Sequence, residues 1–242
     1  MVHRLWVCVG MATVLFLGVV STARADLVAY WSFDDEDATD QTGNGHDGTL
    51  MGNVTFEEGI AGKAAVFDGS SFIQVASTPE LQPEQVTATM WVRFSDVNPP
   101  RQDFFSKNDR VALSLHEWAN DGRIYPIVKV GANWFVKAGN TIAEPDVWYH
   151  LAIVFDTEAV RSYLNGVLDA ETAAAGALDW VNGPLTIGTY SDRFLKGAMD
   201  EVRYYNTALS EDEIVADMQG ALAVRPGGKA TTTWGRLKLE RP

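Results

Sequence analysis

"GAMDEVRYYNTALSEDEI", Gly197–Ile214, reads as a strand, a turn and the start of a helix. Side chains of a strand alternate between its two faces. On strict alternation, Asp200 shares a face with Ala198, Val202 and Tyr204, and Glu201 shares one with Met199, Arg203 and Tyr205. Glu201 then has Arg203 for company. Asp200 sits among apolar neighbours, where a carboxylate needs a metal ion, loop amides or an arginine to offset its desolvation. Asn206–Leu209 is the turn. Ser210 and Glu213 form a capping box, and Ile214 and Met218 lie four apart, which predicts one short helix over Ser210–Met218.

Upstream, short runs rich in Val, Ile, Phe, Tyr and Trp recur between Gly, Pro, Asn and Asp. They include Leu27–Phe33, Val86–Phe94, Ile124–Val130 and Val147–Phe155. "YLNGVL", Tyr163–Leu168, places Asn165-Gly166 between apolar residues and predicts a tight hairpin. In "VWYHLAIVFD", Val147–Asp156, both faces are apolar, so this strand is expected to be central and covered on both sides, or to line an aromatic surface. Many short strands and one helix predict an all-β fold, a two-sheet antiparallel β-sandwich.

The ends differ from the middle. Met1–Ala25 has Arg4, an apolar Leu5–Val20 and an Ala23-Arg24-Ala25 cleavage pattern, the composition of a secretory signal peptide. That apolar run is short for a bilayer span, and no later stretch is apolar enough for one. Residues 26–219 form the expected domain. Residues 220–242 form a basic tail, "RPGGK" followed by "ATTTWGRLKLERP", either a loose terminus or a sorting tail.

Net charge is −13, and removing Arg4 and Arg24 makes it 17 − 32 = −15. So acidic a chain is not expected to hold nucleic acid. Cys8, inside the expected signal, is the only cysteine, so the remaining domain stands without disulfides or thiolate zinc sites. His46, His116 and His150 form no HExxH motif.

Four ordered pieces, "LVAYWSFDDE" (Leu27–Glu36), "DQTGNGHDGTL" (Asp40–Leu50), "KAAVFDGSSFIQV" (Lys63–Val75) and Gly197–Ile214, now fit one pattern. With "VWYHLAIVFD" and "RSYLNGVLD" between them, the chain resembles the laminin-G-like jelly roll of the concanavalin A-like lectin and glucanase superfamily. The resemblance implies a jelly roll with adjacent first and last strands. It also implies one structural calcium ion between them. By position, Asp34, Asn44, His46 (through its carbonyl) and Asp200 correspond to the ligands. Calcium takes six to eight oxygens from such groups.

The superfamily includes glycosidases, which need two carboxylates facing a cleft. The related E-x-D-x-x-E strand pattern is absent here, and strict alternation points Asp200 and Glu201 apart, so no enzyme is expected. A binding module for glycans or adhesion is the expected function, with a protein-binding extracellular module as the alternative. Aromatic rings stack on sugars and polar groups bond hydroxyls. Of Trp118, Tyr125, Trp134, Trp148 and Trp180, the candidates are Trp118 and Trp134, because they border the loops Asn120-Asp121-Gly122 and Gly131-Ala132-Asn133. Asn120 and Arg123 are the polar candidates beside them.

Overall fold

The computed structural model describes residues 27–223, apart from 99 and 117–119. The expected signal peptide, Trp118 and the tail from residue 224 lie outside the described residues. In chain order the strands begin β1 (Leu27–Trp31), β2 (Gly48–Met51), β3 (Thr55–Glu58), β4 (Lys63–Asp68), β5 (Phe72–Val75) and β6 (Val86–Phe94). They continue with β7 (Gln102–Lys107), β8 (Val111–Leu115), β9 (Ile124–Val130), β10 (Asn133–Val136), β11 (Trp148–Phe155) and β12 (Ala159–Leu164). They end with β13 (Val167–Ala173), β14 (Leu185–Ile187), β15 (Thr189–Tyr190), β16 (Arg193–Phe194) and β17 (Lys196–Tyr205), followed by one helix, α1 (Glu211–Ala223).

Two antiparallel sheets form the expected sandwich. The first runs β13-β12-β11-β6-β17-β4-β3, with β1 also on β17; the second runs β10-β9-β8-β7-β14-β5-β2. Between them lies a core that includes Trp31, Phe67, Phe94, Phe104, Phe105, Phe155 and Tyr204. β11 is central, as its sequence predicts: Tyr149, Leu151, Ile153 and Phe155 face the core, while Ala152 and Val154 pack with Ile214 of α1 on the outside. The Asn165-Gly166 hairpin joins Leu164 to Val167 with both turn residues at positive φ, the backbone that makes an Asn-Gly turn match strand twist. Ser210 caps α1 through the expected reciprocal contact with Glu213. The helix runs to Ala223, past the expected Met218 end.

Alternation breaks at the strand quoted first. Met199, Val202 and Tyr204 all point into the core, which strict alternation forbids. The pairing of β17 with β6 shifts between Asp200 and Arg203, and Glu201 has φ 55°, so Glu201 is the extra residue of a bulge. Asp200 therefore shares the outer face with Ala198, and beyond the bulge that face continues through Arg203 and Tyr205. This corrects two expectations. Asp200 does not share a face with Val202 and Tyr204, and Asp200 and Glu201 do not point to opposite faces.

A second bulge shapes β7. Its pairing with β8 shifts between Asp103 and Phe105, so Phe104 and Phe105 both enter the core while Asp103 lies opposite Ser114 on the outer face. Two adjacent phenylalanines inside a polar strand, "QDFFSK", hide its period of two.

Candidate functional site

Two places gather the residues that the sequence singles out. The first is the point where β17 changes partners. Lys196–Met199 pair with β4, and Val202–Tyr205 pair with β1, so Asp200 and Glu201 lie at the junction. The loop entering β4 closes over them. The Ala61 amide donates to Asp200 Oδ2 at 2.9 Å, and a Cβ on Gly59 would collide with that oxygen. On the same loop the Lys63 amide donates to Asp34 Oδ1 at 2.9 Å. The structure therefore brings Asp34 and Asp200 to one loop.

Asp200 is fully buried, and its Oδ1 has no partner among the described residues. Burial pushes its carboxyl up to about 8, against the pull of the Ala61 amide. Glu201 is raised by burial too, although Arg203 and the Tyr30 hydroxyl, which donates to it at 2.7 Å, oppose the rise. Asn44 and His46 have other partners. Asn44 donates its amide to the Val28 carbonyl at 2.8 Å, near the other end of β1. The His46 carbonyl accepts from Trp31 Nε1 at 2.9 Å. Among the described residues no three His, Cys, Asp or Glu side chains converge as a metal cluster.

The second place is the outer face of the second sheet. Residues directly opposite one another share a face. Asp103 pairs with Ser114 and Ser114 with Tyr125, which gives one row; Ser106, Ala112 and Ile127 give the next. Lys129 follows Ile127 on that face of β9 and stands opposite Trp134, while Val136 stands opposite Ile127. Arg123 precedes Tyr125 by two and so joins the same face. Alternation thus gathers Arg123, Tyr125, Lys129 and Trp134 on one face, whose middle (Asp103, Ser106, Ala112, Ser114 and Ile127) is buried, so its accessible groups lie at the edges, Trp134 and Lys129 among them.

The hairpin β15–β16 packs against β7 and forms one wall. Arg193 of that hairpin brings Nη1 to 3.7 Å from Asp103, which also accepts Arg101 Nε at 2.6 Å. Trp134 and Lys129 form the opposite wall, three strand spacings or about 14 Å from β7. Trp134 is 44% exposed, and the Lys129 ammonium lies 4.9 Å from its ring centroid. At the far end Arg123 Nη1 donates to the carbonyls of Gly139 (2.8 Å) and Asn140 (2.5 Å), and Tyr125 donates its hydroxyl to Asp121 at 2.9 Å. Asn120 is exposed in the loop that leads into this end.

Arg123 and Trp134 share the face without sharing a subsite. Lys129, opposite Trp134, is six residues from Arg123, roughly 20 Å of extended strand. The other aromatic residues are committed elsewhere. Trp180 packs on the core and donates Nε1 to the Pro83 carbonyl, and Trp148 belongs to the first sheet beneath Arg93. Asp103, Arg101 and Arg193 escape sequence reasoning because the β7 bulge disguises the strand that carries Asp103. The trace they leave is the Arg101-x-Asp103 pair beside a double phenylalanine.

Residues 67–215 match a laminin G family model described as the Concanavalin A-like lectin/glucanases superfamily. Domain 4 of AbnA, a GH43 extracellular arabinanase from Geobacillus stearothermophilus, solved in complex with arabinotriose, is 28% identical at a TM-score of 0.68, over 80% of this chain and 98% of that one. The binding domain of Paraclostridial Mosquitocidal Protein 1 shares the fold at 17% identity and a TM-score of 0.70, over 81% of this chain and 52% of that one. The binding domain of Botulinum Neurotoxin DC, in complex with SialylT, shares it at 12% identity and a TM-score of 0.66, over 81% of this chain and 51% of that one. The search of curated proteins found no match.

Proposed function

The chain belongs to the Concanavalin A-like lectin/glucanases superfamily, and from that premise we propose that it is an exported, non-catalytic module that binds a glycan on the outer face of its second sheet. The observation that carries this reading is Trp134, a large ring left 44% exposed on a strand with the Lys129 ammonium 4.9 Å from its centroid. An aromatic plane beside fixed polar groups suits a sugar, which has apolar ring faces and a hydroxyl rim. Domain 4 of the arabinanase, seen with arabinotriose, supports a saccharide in this fold.

The junction carboxylates support a binding role over hydrolysis. A glycosidase needs two carboxylates that flank the scissile bond. Asp200 and Glu201 now lie on one side of β17, yet they are 0% and 3% exposed, which keeps a saccharide away from both.

The same junction suits a structural cation. Asp200 Oδ1 is a buried carboxylate oxygen with no hydrogen-bond partner among the described residues, and Asp34 reaches the same loop, so both are hard oxygen donors of the kind calcium takes. Asp34 and Asp200 would hold the ion, with backbone carbonyls and water completing its shell. Bound there, calcium would offset the buried negative charge and tie the first strand to the last. Asn44 and His46, occupied at Val28 and Trp31, would be supporting residues of the loop.

Export rests on the Met1–Ala25 pattern and fits the extracellular setting of the arabinanase. Among the described residues no helix is long and apolar enough to cross a membrane. The test of the binding reading is an immobilised-glycan screen of the folded chain in calcium. Saccharide hits support it. A folded chain with no hits refutes it in favour of a protein-binding module.

A further inference from the structure

Deepening that reading and resting on it, we infer that the saccharide recognised by the outer face of the second sheet is acidic, carrying a carboxylate or sulfate, and that Lys129 and Arg193 read its charge.

The first support is the distribution of charge along the chain. The protein as a whole carries −13. Residues 101–137, which build β7 to β10, hold six cations (Arg101, Lys107, Arg110, Arg123, Lys129, Lys137) against four acids (Asp103, Asp109, Glu117, Asp121), or 6 − 4 = +2. The sign therefore reverses over this segment, although Lys107 is buried and bonded to Ser77 and Gly183, and most of the other cations stand at strand ends.

The second support is where counter-charges are placed. Four of the five cations in strands of the first sheet are neutralised at close range. Lys63 lies 3.0 Å from Glu58, Arg93 is 2.6 Å from Glu57, Arg161 is 2.5 Å from Asp156, and Arg203 pairs with Glu201 and Asp217. Lys129 is treated differently. Among the described residues its ammonium has an aromatic ring for a neighbour and no carboxylate within ion-pair distance. Across the face, Arg101 and Arg193 both reach the carboxylate of Asp103. Arg101 holds the short contact, and Arg193 stays at 3.7 Å with 41% of its side chain exposed.

Chemically, the two walls make a matched set. A sugar acid presents an apolar ring face and an anionic group on one molecule. Trp134 offers an exposed ring, and Lys129, 4.9 Å from its centroid, offers the charge beside it. Arg193 lies diagonally across the face, three strands away and in the row of Tyr125, about 13 Å along β9 from Lys129, so the two cations suit separate units of an oligosaccharide; its planar fork suits carboxylate or sulfate oxygens. A neutral saccharide would leave Lys129 with its ring alone and Arg193 with a carboxylate it shares with Arg101.

The test is calorimetric titration of the full chain at low and high salt with three oligosaccharides of equal length. One carries uronate carboxylates, one carries sulfates, and one is neutral. The expected result is that at least one acidic probe binds about tenfold or more tighter than the neutral one at low salt, and that high salt shrinks the gap. Lys129→Gln and Arg193→Gln, each checked by thermal melt, should each lower acidic affinity about three- to tenfold and shrink the acidic-over-neutral preference. Which acidic probe binds better separates carboxylate from sulfate. Equal affinity for acidic and neutral probes overturns the charge assignment and leaves the glycan reading standing. An acidic preference that survives both substitutions overturns the assignment to this face. Absence of binding by all three overturns both readings.

Discussion

The amide of Ala61 and the carboxylate of Asp200, 139 positions apart, share a 2.9 Å hydrogen bond. This contact closes the loop before β4 over the point where β17 exchanges β4 for β1. It leaves Asp200 Oδ1 buried with no hydrogen-bond partner among the described residues, and the cation proposal turns on that oxygen. Calcium should raise the melting temperature of the chain, and excess chelator should reverse the rise. At a hundredfold excess over Kd the stabilisation is about 2.7 kcal/mol. Asp200→Ala should abolish the shift, and Asp34→Ala should reduce it. A wild-type melt indifferent to calcium would mean that Asp200 is held by loop amides alone.

Asp217 fastens α1 to the first sheet. Its carboxylate accepts from Thr89 Oγ1 at 2.7 Å and from the Tyr205 hydroxyl at 2.5 Å, and it lies 3.6 Å from Arg203 Nε and 3.8 Å from His150 Nε2. Asp217→Ala strands these buried partners, a loss of about 3 kcal/mol. Burial works to raise the Asp217 pKa, and His150, Arg203, Tyr205 and Thr89 outweigh it, which leaves the pKa below the usual carboxylate value. The folded pKa lies below the unfolded one, so this contribution is present above about pH 4 and is lost as pH falls through the folded value. Acid unfolding followed by circular dichroism should therefore be shallower in Asp217→Asn than in the wild type.

Lys107 carries the opposite kind of shift. Its ammonium is buried and donates to Ser77 Oγ at 3.0 Å and to the Gly183 carbonyl at 2.6 Å, and burial pushes its pKa down to about 8. Between pH 8 and the unfolded value near 10.4 the unfolded chain binds the extra proton, so this residue makes stability rise with pH there. Urea melts from pH 8 to 10 should show a more positive slope for the wild type than for Lys107→Met. Parallel slopes would mean that Lys107 ionises as it does in water.

Much of this architecture is legible in the residues, and the exceptions have a common cause. The apolar periodicity of β6, β9 and β11, the Asn165-Gly166 hairpin and the Ser210 cap read directly, because each expresses a local rule. The face of Asp200 and the identity of β7 do not, because a one-residue bulge reverses every later side chain and leaves no composition signal. At the candidate site, Arg123 and Trp134 are legible as a loop-flanking cation and ring. Asp103, Arg101 and Arg193 come together only through strand order, which joins β7 to a hairpin some ninety residues later. Asn44 is legible as a loop residue, but its partner Val28 lies on the far part of β1.

The most direct test of the central claim is a titration of wild type, Trp134→Ala and Trp148→Ala with a saccharide identified by the screen. Trp134 lies on the outer face of the second sheet and Trp148 on that of the first, so each ring controls for the other. The account predicts that Trp134→Ala lowers affinity about tenfold or more, equivalent to ~1.4 kcal/mol, and that Trp148→Ala leaves it unchanged. Full affinity in folded Trp134→Ala, or a loss confined to Trp148→Ala, would contradict it and move the glycan to another surface.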